Sequence, residues 1–303
     1  MQLGMIGLGK MGSNMTRRLL SSNHNVVIYD RQEEHMSPLA TEGAQAAHSM
    51  DELVGHLAAP RTIWLMLPAG KPTEDTVNLL AEMLASGDTV VDGGNSNYKD
   101  SMRRAEALKM KGISLLDVGV SGGIRGLKEG YCLMAGGDEG AYQRLEPALK
   151  SLAPTETLGF GRVGPSGAGH FVKMVHNAIE YGMMEAYAEG FELMQKKEEF
   201  DLDLHHVSAI WEDGSVIRSL LLELATAALK ADPNLEQLQS YVADSGEGRW
   251  AVEESLDLDV PLPVVTLALQ ARFRSRQDNP FAGRMLAALR QQFGGHAVHT
   301  KND

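Results

Sequence analysis

The hexapeptide GLGKMG, residues 7–12, constrains this chain more than any other feature. It is a G-x-G-x-x-G pattern between an apolar run, residues 3–8, and an amphipathic stretch, residues 11–20. Strand, glycine turn and helix in that order open a βαβ unit. The first glycine permits the tight turn, the second lets backbone approach a phosphate, and the third lets helix and strand pack closely. The helix N-terminus then offers unpaired N–H groups and a partial positive charge to a dinucleotide pyrophosphate. Gly7, Leu8, Gly9, Lys10, Met11 and Gly12 are the residues expected there.

Short apolar runs recur at residues 26–29, 63–67, 89–91, 113–118 and 131–135, with helical segments between them. This alternation predicts a mostly parallel sheet with helices on both faces. Asp30 ends the second run, where a carboxylate hydrogen-bonds ribose hydroxyls and repels a 2′-phosphate, which favours NAD. Arg31 can pair with a 2′-phosphate or be an ordinary surface arginine, which leaves NADP open. The loop LPAGK, residues 67–71, follows a strand and places Leu67 and Lys71 at the border of the cofactor.

At GRVGPSGAG, residues 161–169, the character changes; this Gly- and Pro-rich segment reads as a junction. The remainder is helical in composition, without strand alternation or internal repeat. The expected architecture is an α/β N-terminal Rossmann-type doubly wound sheet, residues 1–164, followed by an all-α C-terminal domain, residues 165–303, for substrate binding and oligomerisation. The 303 residues, 43% hydrophobic, suffice for two cores. A net charge of −12 argues against nucleic acid as a partner. An anionic substrate would need locally concentrated Arg and Lys. With Cys132 as the only cysteine, no intrachain disulfide can form and no CxxC metal motif exists, so no metal is expected. No apolar run is long enough for a bilayer and no signal segment is visible, so the expectation is a cytoplasmic protein without a membrane partner.

One helical segment carries chemistry. In GHFVKMVHNAIEYGMMEAY, residues 169–187, Lys173, His176, Asn177, Glu180 and Tyr181 fall at i, i+3, i+4, i+7 and i+8. That spacing puts them on one face. Apolar residues cover the other directions, so the helix reads as largely buried, and a polar stripe there needs partners. An interhelix hydrogen-bond network would meet that need; so would a substrate. Beside a dinucleotide, Lys173 with a pKa lowered by burial can take the proton of a secondary alcohol. His176 and Asn177 can orient substrate oxygens, and Glu180 can act as a second acid or base.

KMVHNAIEY, residues 173–181, resembles the catalytic helix of the decarboxylating 6-phosphogluconate dehydrogenases. GLGKMGSNM resembles that family's cofactor loop. DGGNSNY, residues 92–98, resembles its loop with an asparagine near nicotinamide and substrate, and VSGGIRG, residues 120–126, its substrate-carboxylate loop. ALQARF, residues 268–273, and RQQFGGH, residues 290–296, extend the match. The resemblance implies oxidation of 6-phosphogluconate at its 3-hydroxyl, loss of CO₂ and formation of ribulose 5-phosphate, a step of the pentose phosphate pathway. Lys173 would be the base and Glu180 the acid that protonates the enediol. Asn95, Ser121, Gly122, Gly123, His176 and Asn177 would hold the sugar acid, and Tyr181, Arg249 and Arg272 its phosphate. Asn95 would also touch the cofactor. Arg290 and His296 would reach a neighbouring subunit's site, in a homodimer or homotetramer.

The chain is shorter than the family's long form and resembles its short-chain branch. Arg249-Trp250-Ala251 stands where the long form has Lys-Trp-Thr, and Asp30 replaces an asparagine of NADP-specific members. Another β-hydroxyacid dehydrogenase, such as the 3-hydroxyisobutyrate type, shares the cofactor loop, the SGG loop and the helix lysine. His176 and the Glu180-Tyr181 pair favour the phosphogluconate type. A non-catalytic dinucleotide-binding redox sensor would not need Lys173 and Glu180 on one face. Arg249 follows the flexible SGEG, residues 245–248, and reads equally as an anion ligand or a surface residue. Arg272, Arg274 and Arg276 cannot all face one site. His299, unlike His296, has no counterpart in the resemblance.

Overall fold

The structure, a computed structural model, describes residues 1–299. The chain forms two compact units, Met1–His176 and the residues from Asn177 onward. The first unit begins β1 (Gln2–Ile6), α1 (Lys10–Ser21), β2 (Asn25–Tyr29), α2 (Glu33–Thr41), β3 (Gln45–Ala46), α3 (Met50–Gly55) and β4 (Thr62–Leu65). It continues α4 (Lys71–Met83), β5 (Thr89–Asp92), α5 (Tyr98–Lys109), β6 (Ser114–Ser121), α6 (Gly126–Glu129), β7 (Cys132–Gly137), α7 (Glu139–Leu152) and β8 (Phe160–Gly164). The long α8 (Ala168–Lys196) runs from the first unit into the second.

The eight strands form one sheet in the order β3-β2-β1-β4-β5-β6-β7-β8. Every pair is parallel except β6 with β7. All residues of β4 and β5 are buried, as expected of parallel strands covered on both faces. Alternate side chains feed two cores. Leu3, Met5, Trp64, Val91 and Leu116 pack with Met15 and Leu19 of α1 and Leu145 and Leu149 of α7. Ile63, Leu65, Val90 and Leu115 pack with Leu53 of α3, Val77 and Leu80 of α4 and Leu108 of α5. Strand order reverses between β1 and β4, so the loops leaving β1, β2 and β4 border one crevice.

The doubly wound sheet matches the expectation from the sequence, with two strands added. β3 has only two residues, too few to show a period. β8 falls where the sequence reads as a junction; it has no buried residue and owes its conformation to pairing with β7. Its glycines masked a strand held by backbone alone. The compact units also divide inside α8, later than the 164/165 boundary read from composition. The first turns of that helix pack on the sheet: a Cβ on Gly169 would lie 2.1 Å from Asp117 O and 2.6 Å from Met134 O.

The second unit contains the rest of α8, then α9 (Leu204–Glu212), α10 (Leu220–Ala231), α11 (Glu247–Asp257), α12 (Pro263–Arg274) and α13 (Phe281–Gly294). Among its described residues there is no strand, as expected, although residues 232–246 are irregular rather than helical. Asp203 and Ser219 cap α9 and α10 by accepting from His206 and Leu222 N–H. Tyr181, Ala268 and Leu269 form a small core with Val252 and Phe273. No residue of α13 is buried.

The glycine turn contributes to stability as well as to binding. A Cβ on Gly12 would lie 2.0 Å from Gly7 O, whereas one on Gly9 would meet nothing within 4 Å. We expect Gly12→Ala to cost about 1–3 kcal/mol in urea denaturation, as backbone shifts to admit the methyl group. Gly9→Ala should leave the unfolding midpoint unchanged.

Candidate active site

The crevice at the reversal point has a volume of about 960 Å³ and is lined by Gly7, Gly9, Lys10, Met11, Gly12, Asp30, Arg31 and Leu67, among others. Gly7 has φ +91°, and a Cβ there would lie 2.5 Å from Met66 O, so only glycine makes this turn unstrained. Gly9 is the N-cap of α1 and supplies no side-chain acceptor. The first-turn N–H groups are therefore left to a ligand. With open space above Gly9, this cradle fits a pyrophosphate.

Asp30 Oδ2 accepts from Leu8 N–H at 2.6 Å and Oδ1 from Gln32 N–H at 2.9 Å, with His35 Nδ1 3.4 Å away. Burial pushes this carboxyl up, but the Gln32 and Leu8 N–H donors and His35 outweigh it and hold Asp30 below the usual range. An ionised carboxylate thus stands where the ribose would lie. Arg31 is exposed on the rim. Three expected cofactor residues, Leu8, Lys71 and the half-buried Asn95, are not among those lining the crevice. Leu8 is buried and contributes through its N–H to Asp30. Lys71 does not line the cavity; it pairs with Asp75 at 2.8 Å, one turn along α4.

A buried network missing from the sequence reading braces the adjoining loops. Arg104, 2% exposed, donates to Glu74 Oε2 at 2.7 Å, to Asp92 Oδ2 at 3.3 Å and to Gly70 O at 3.4 Å. Asp92 in turn accepts from Gly94 N–H and Ser96 Oγ–H, on either side of Asn95. One arginine therefore ties the 67–71 loop to the 92–98 loop. Hydrogen bonds from Arg103, opposed by burial and joined by Arg104, hold Glu74 at about 2. The partners are far apart in the chain, so no local pattern announces them.

The start of α8 meets the end of β6. Lys173 is 7% exposed, and His176 Nε2 lies 3.3 Å from Ser121 Oγ. Gly122 and Gly123, with φ +131° and +54°, carry the chain away from the strand end. The buried Asp117 accepts from Gly167 and His170 N–H, and His170 Nδ1 lies 2.7 Å from Ser101 Oγ. Burial pushes Asp117 up, against His170 and those N–H donors, which act to lower it.

Further along α8, Asn177 and Tyr181 are buried and Glu180 is half-buried. Within the second unit the Arg272 guanidinium stacks on the Tyr181 ring, 3.6 Å from its centroid, and donates to Ala243 O. Tyr181 Oη accepts from Ser245 N–H at 3.3 Å. Arg249 donates to Asp244 at 2.6 Å and lies over Phe273. Tyr181 and Arg272 thus converge with Arg249 on the segment 243–249, an arrangement that could hold an anion. Arg276 joins them, 2.6 Å from Asp244, while Arg274 is exposed. Asp244 was missing from the sequence reading, and Arg276 was left undecided there beside Arg272 and Arg274. Arg290 on α13 and His296 just beyond it are exposed. Among the described residues no group of His, Cys, Asp or Glu could hold a metal ion.

The chain is similar to known proteins along both of its units. Residues 2–161 match the model of the NAD binding domain of 6-phosphogluconate dehydrogenase, and residues 169–288 that of the 6-phosphogluconate dehydrogenase C-terminal domain. An NAD(+)-dependent, decarboxylating 6-phosphogluconate dehydrogenase of Haloferax volcanii is 44% identical over all of both chains. A decarboxylating 6-phosphogluconate dehydrogenase of Synechococcus elongatus is 35% identical over 90% of this chain and 61% of its own length. Plasmodium falciparum 6-phosphogluconate dehydrogenase, solved apo, with NADP+ and with 6-phosphogluconate, superposes with a TM-score of 0.84 at 28% identity, over 100% of this chain and 67% of that one. A 3-hydroxyisobutyrate dehydrogenase of Salmonella typhimurium shares the fold, with a TM-score of 0.74 at 22% identity, over 89% of this chain and 92% of that one.

Asp244 has a pH signature. The Arg249 hydrogen bond, opposed by burial and joined by Arg276, holds its carboxyl at about 2 against an ordinary 3.8. A depressed folded-state pKa stabilises the fold above the unfolded value and loses that effect as pH falls toward the folded one. Asp244→Asn should therefore melt lower than the parent at pH 7. In thermal melts that gap should persist down to roughly pH 4 and narrow below it.

Proposed function

This chain belongs to the 6-phosphogluconate dehydrogenase family, and we propose that it oxidatively decarboxylates 6-phospho-D-gluconate to D-ribulose 5-phosphate and CO₂, with NAD as its preferred oxidant. The observation that carries this reading is the polar stripe of α8, with Lys173, Asn177 and Tyr181 all under 10% exposed. The ordinary occupant of such a buried face is apolar.

NAD, which the glycine turn and Asp30 would hold, would supply the acceptor for the hydride leaving C3 of the substrate. Lys173 takes the proton of the 3-hydroxyl. In the resulting 3-keto acid the C1–C2 bond breaks, CO₂ departs, and the electron pair moves toward the C3 oxygen, to which Lys173 returns the proton. Glu180 then protonates C2 while Lys173 removes the oxygen's proton again, which leaves the ketone of ribulose 5-phosphate. Asn95, Ser121, Gly122, Gly123, His176 and Asn177 hold the sugar acid. Tyr181, Arg249 and Arg272 take the phosphate, which competes with Asp244 for Arg249.

The protein acts as a homodimer or homotetramer in which Arg290 and His296 complete a neighbouring site. The exposed apolar side chains of α13, namely Phe281, Met285, Leu286, Leu289 and Phe293, support a partner surface. The cytoplasm is the proposed compartment, since a reducing medium suits the exposed, unpaired Cys132. No helix among the described residues is long and apolar enough to cross a membrane.

A steady-state assay with 6-phosphogluconate, following reduced cofactor and CO₂, tests the reaction. Lys173→Ala should lower kcat by roughly 100- to 10,000-fold with NAD affinity retained; normal turnover would sink the mechanism. In the parent, kcat/KM should favour NAD over NADP by at least about tenfold, or about 1.4 kcal/mol, because the Asp30 carboxylate repels a 2′-phosphate. A tenfold preference for NADP would overturn the assigned role of Asp30.

A further inference from the structure

Three residues spaced by two on one face of β6 each meet a successive part of α8. Asp117 is 0% exposed, and its carboxylate accepts from Gly167 N–H at 2.7 Å and His170 N–H at 2.9 Å. These donors belong to the entry and first turn of α8, so the strand supplies acceptors to that end of the helix. Gly119 comes next: a Cβ there would lie 2.4 Å from Lys173 Cβ, and 3.0 Å from both Lys173 Cγ and Gly169 O. The aliphatic stem of Lys173 therefore occupies the space a side chain at 119 would fill. Ser121 follows, with its Oγ 3.3 Å from His176 Nε2. Between these contacts Gly169 lies directly on strand backbone, where a Cβ would stand 2.1 Å from Asp117 O and 2.7 Å from Gly136 N.

We propose that Asp117 and Gly119 are positioning residues for Lys173: Asp117 fixes the origin of α8 on the sheet, and Gly119 sets the depth at which the lysine stem is seated. The inference rests on the reading of Lys173 as the base. Neither residue touches the reacting atoms. Asp117 acts through two backbone N–H groups, and Gly119 through the absence of a side chain. Both hold the side chain by its aliphatic stem rather than by its amine. Proton transfer demands donor and acceptor within hydrogen-bond reach, so a small displacement of the stem falls on the chemical step.

The test uses Gly119→Ala and Asp117→Asn in the full chain, with rates expressed per NAD-binding site so that misfolded molecules do not count. Alanine at 119 pushes the lysine stem off the strand. Asparagine at 117 keeps one acceptor and turns an N–H donor toward the second backbone N–H. Each variant should lower kcat by roughly 10- to 100-fold, the scale of a misplacement of about 1 Å, with NAD affinity within about twofold of the parent. With 6-phosphogluconate deuterated at C3, the isotope effect on kcat should rise in both, because C–H cleavage then limits turnover. A merely structural defect lowers the number of working sites and leaves the isotope effect where it was. Unchanged kcat per site, or a fall with an unchanged isotope effect, overturns the proposal. Where Gly119→Ala does not fold, Asp117→Asn decides by the same two readouts. Lys173→Ala in the same assay separates the premises: if it is inactive while both variants are normal, only the positioning role falls. If it turns over normally, the base assignment falls instead.

Discussion

The rest of the first unit depends on how closely the start of α8 is seated on β6 and β7. Ordinarily a helix packs on a sheet through a layer of side chains. Here Gly169 meets strand backbone directly, with the buried Asp117 carboxylate accepting from the N–H groups of Gly167, just before the helix, and His170, in its first turn. A buried carboxylate is tolerable only where its charge is met by donors, and the end of a helix dipole supplies them. The contact gives the helix a fixed origin, and a fixed origin gives every residue one, two or three turns along it a defined place. Lys173 and His176 inherit their positions from that origin.

The cofactor crevice follows the same logic of backbone held by charge. The glycine turn leaves N–H groups open, Asp30 is fixed by Leu8 and Gln32, and Arg104 fastens the two loops beyond. Arg104 is expensive to bury unless both Glu74 and Asp92 are present, so the three form a unit whose parts have little value alone. In the second unit the arginines around residues 243–249 are already partnered by Asp244, by Ala243 O and by the Tyr181 ring. They are thereby held in place, and pre-organisation of this kind would lower the entropic cost of binding the proposed phosphate.

Much of this was legible beforehand because the decisive signals are local. G-x-G-x-x-G must follow a strand and open a helix, since turn, phosphate approach and close packing each demand glycine at a fixed offset. Polar residues at i, i+3, i+4, i+7 and i+8 must share a helix face whatever surrounds them. Arg272 on α12 and Arg276 in the turn just after it both donate to the segment 242–243, while Arg274 is exposed. The resemblance to 6-phosphogluconate dehydrogenases rested on such short runs, and family matches along both units agree with it.

What stayed hidden is non-local. β8 has no pattern of its own and exists through its hydrogen bonds to β7. Lys71 looks like a cofactor residue until α4 forms and brings Asp75 one turn away. Asp117, Arg104 and Asp244 read as ordinary charged residues, because their partners lie in other elements. The sequence by itself determined the doubly wound sheet, the glycine cradle and the polar face of one helix, since each follows from periodicity within a dozen residues. Only the tertiary structure decided which charges brace that face and how deep its lysine sits, because burial and pairing belong to segments that meet only when the chain has folded.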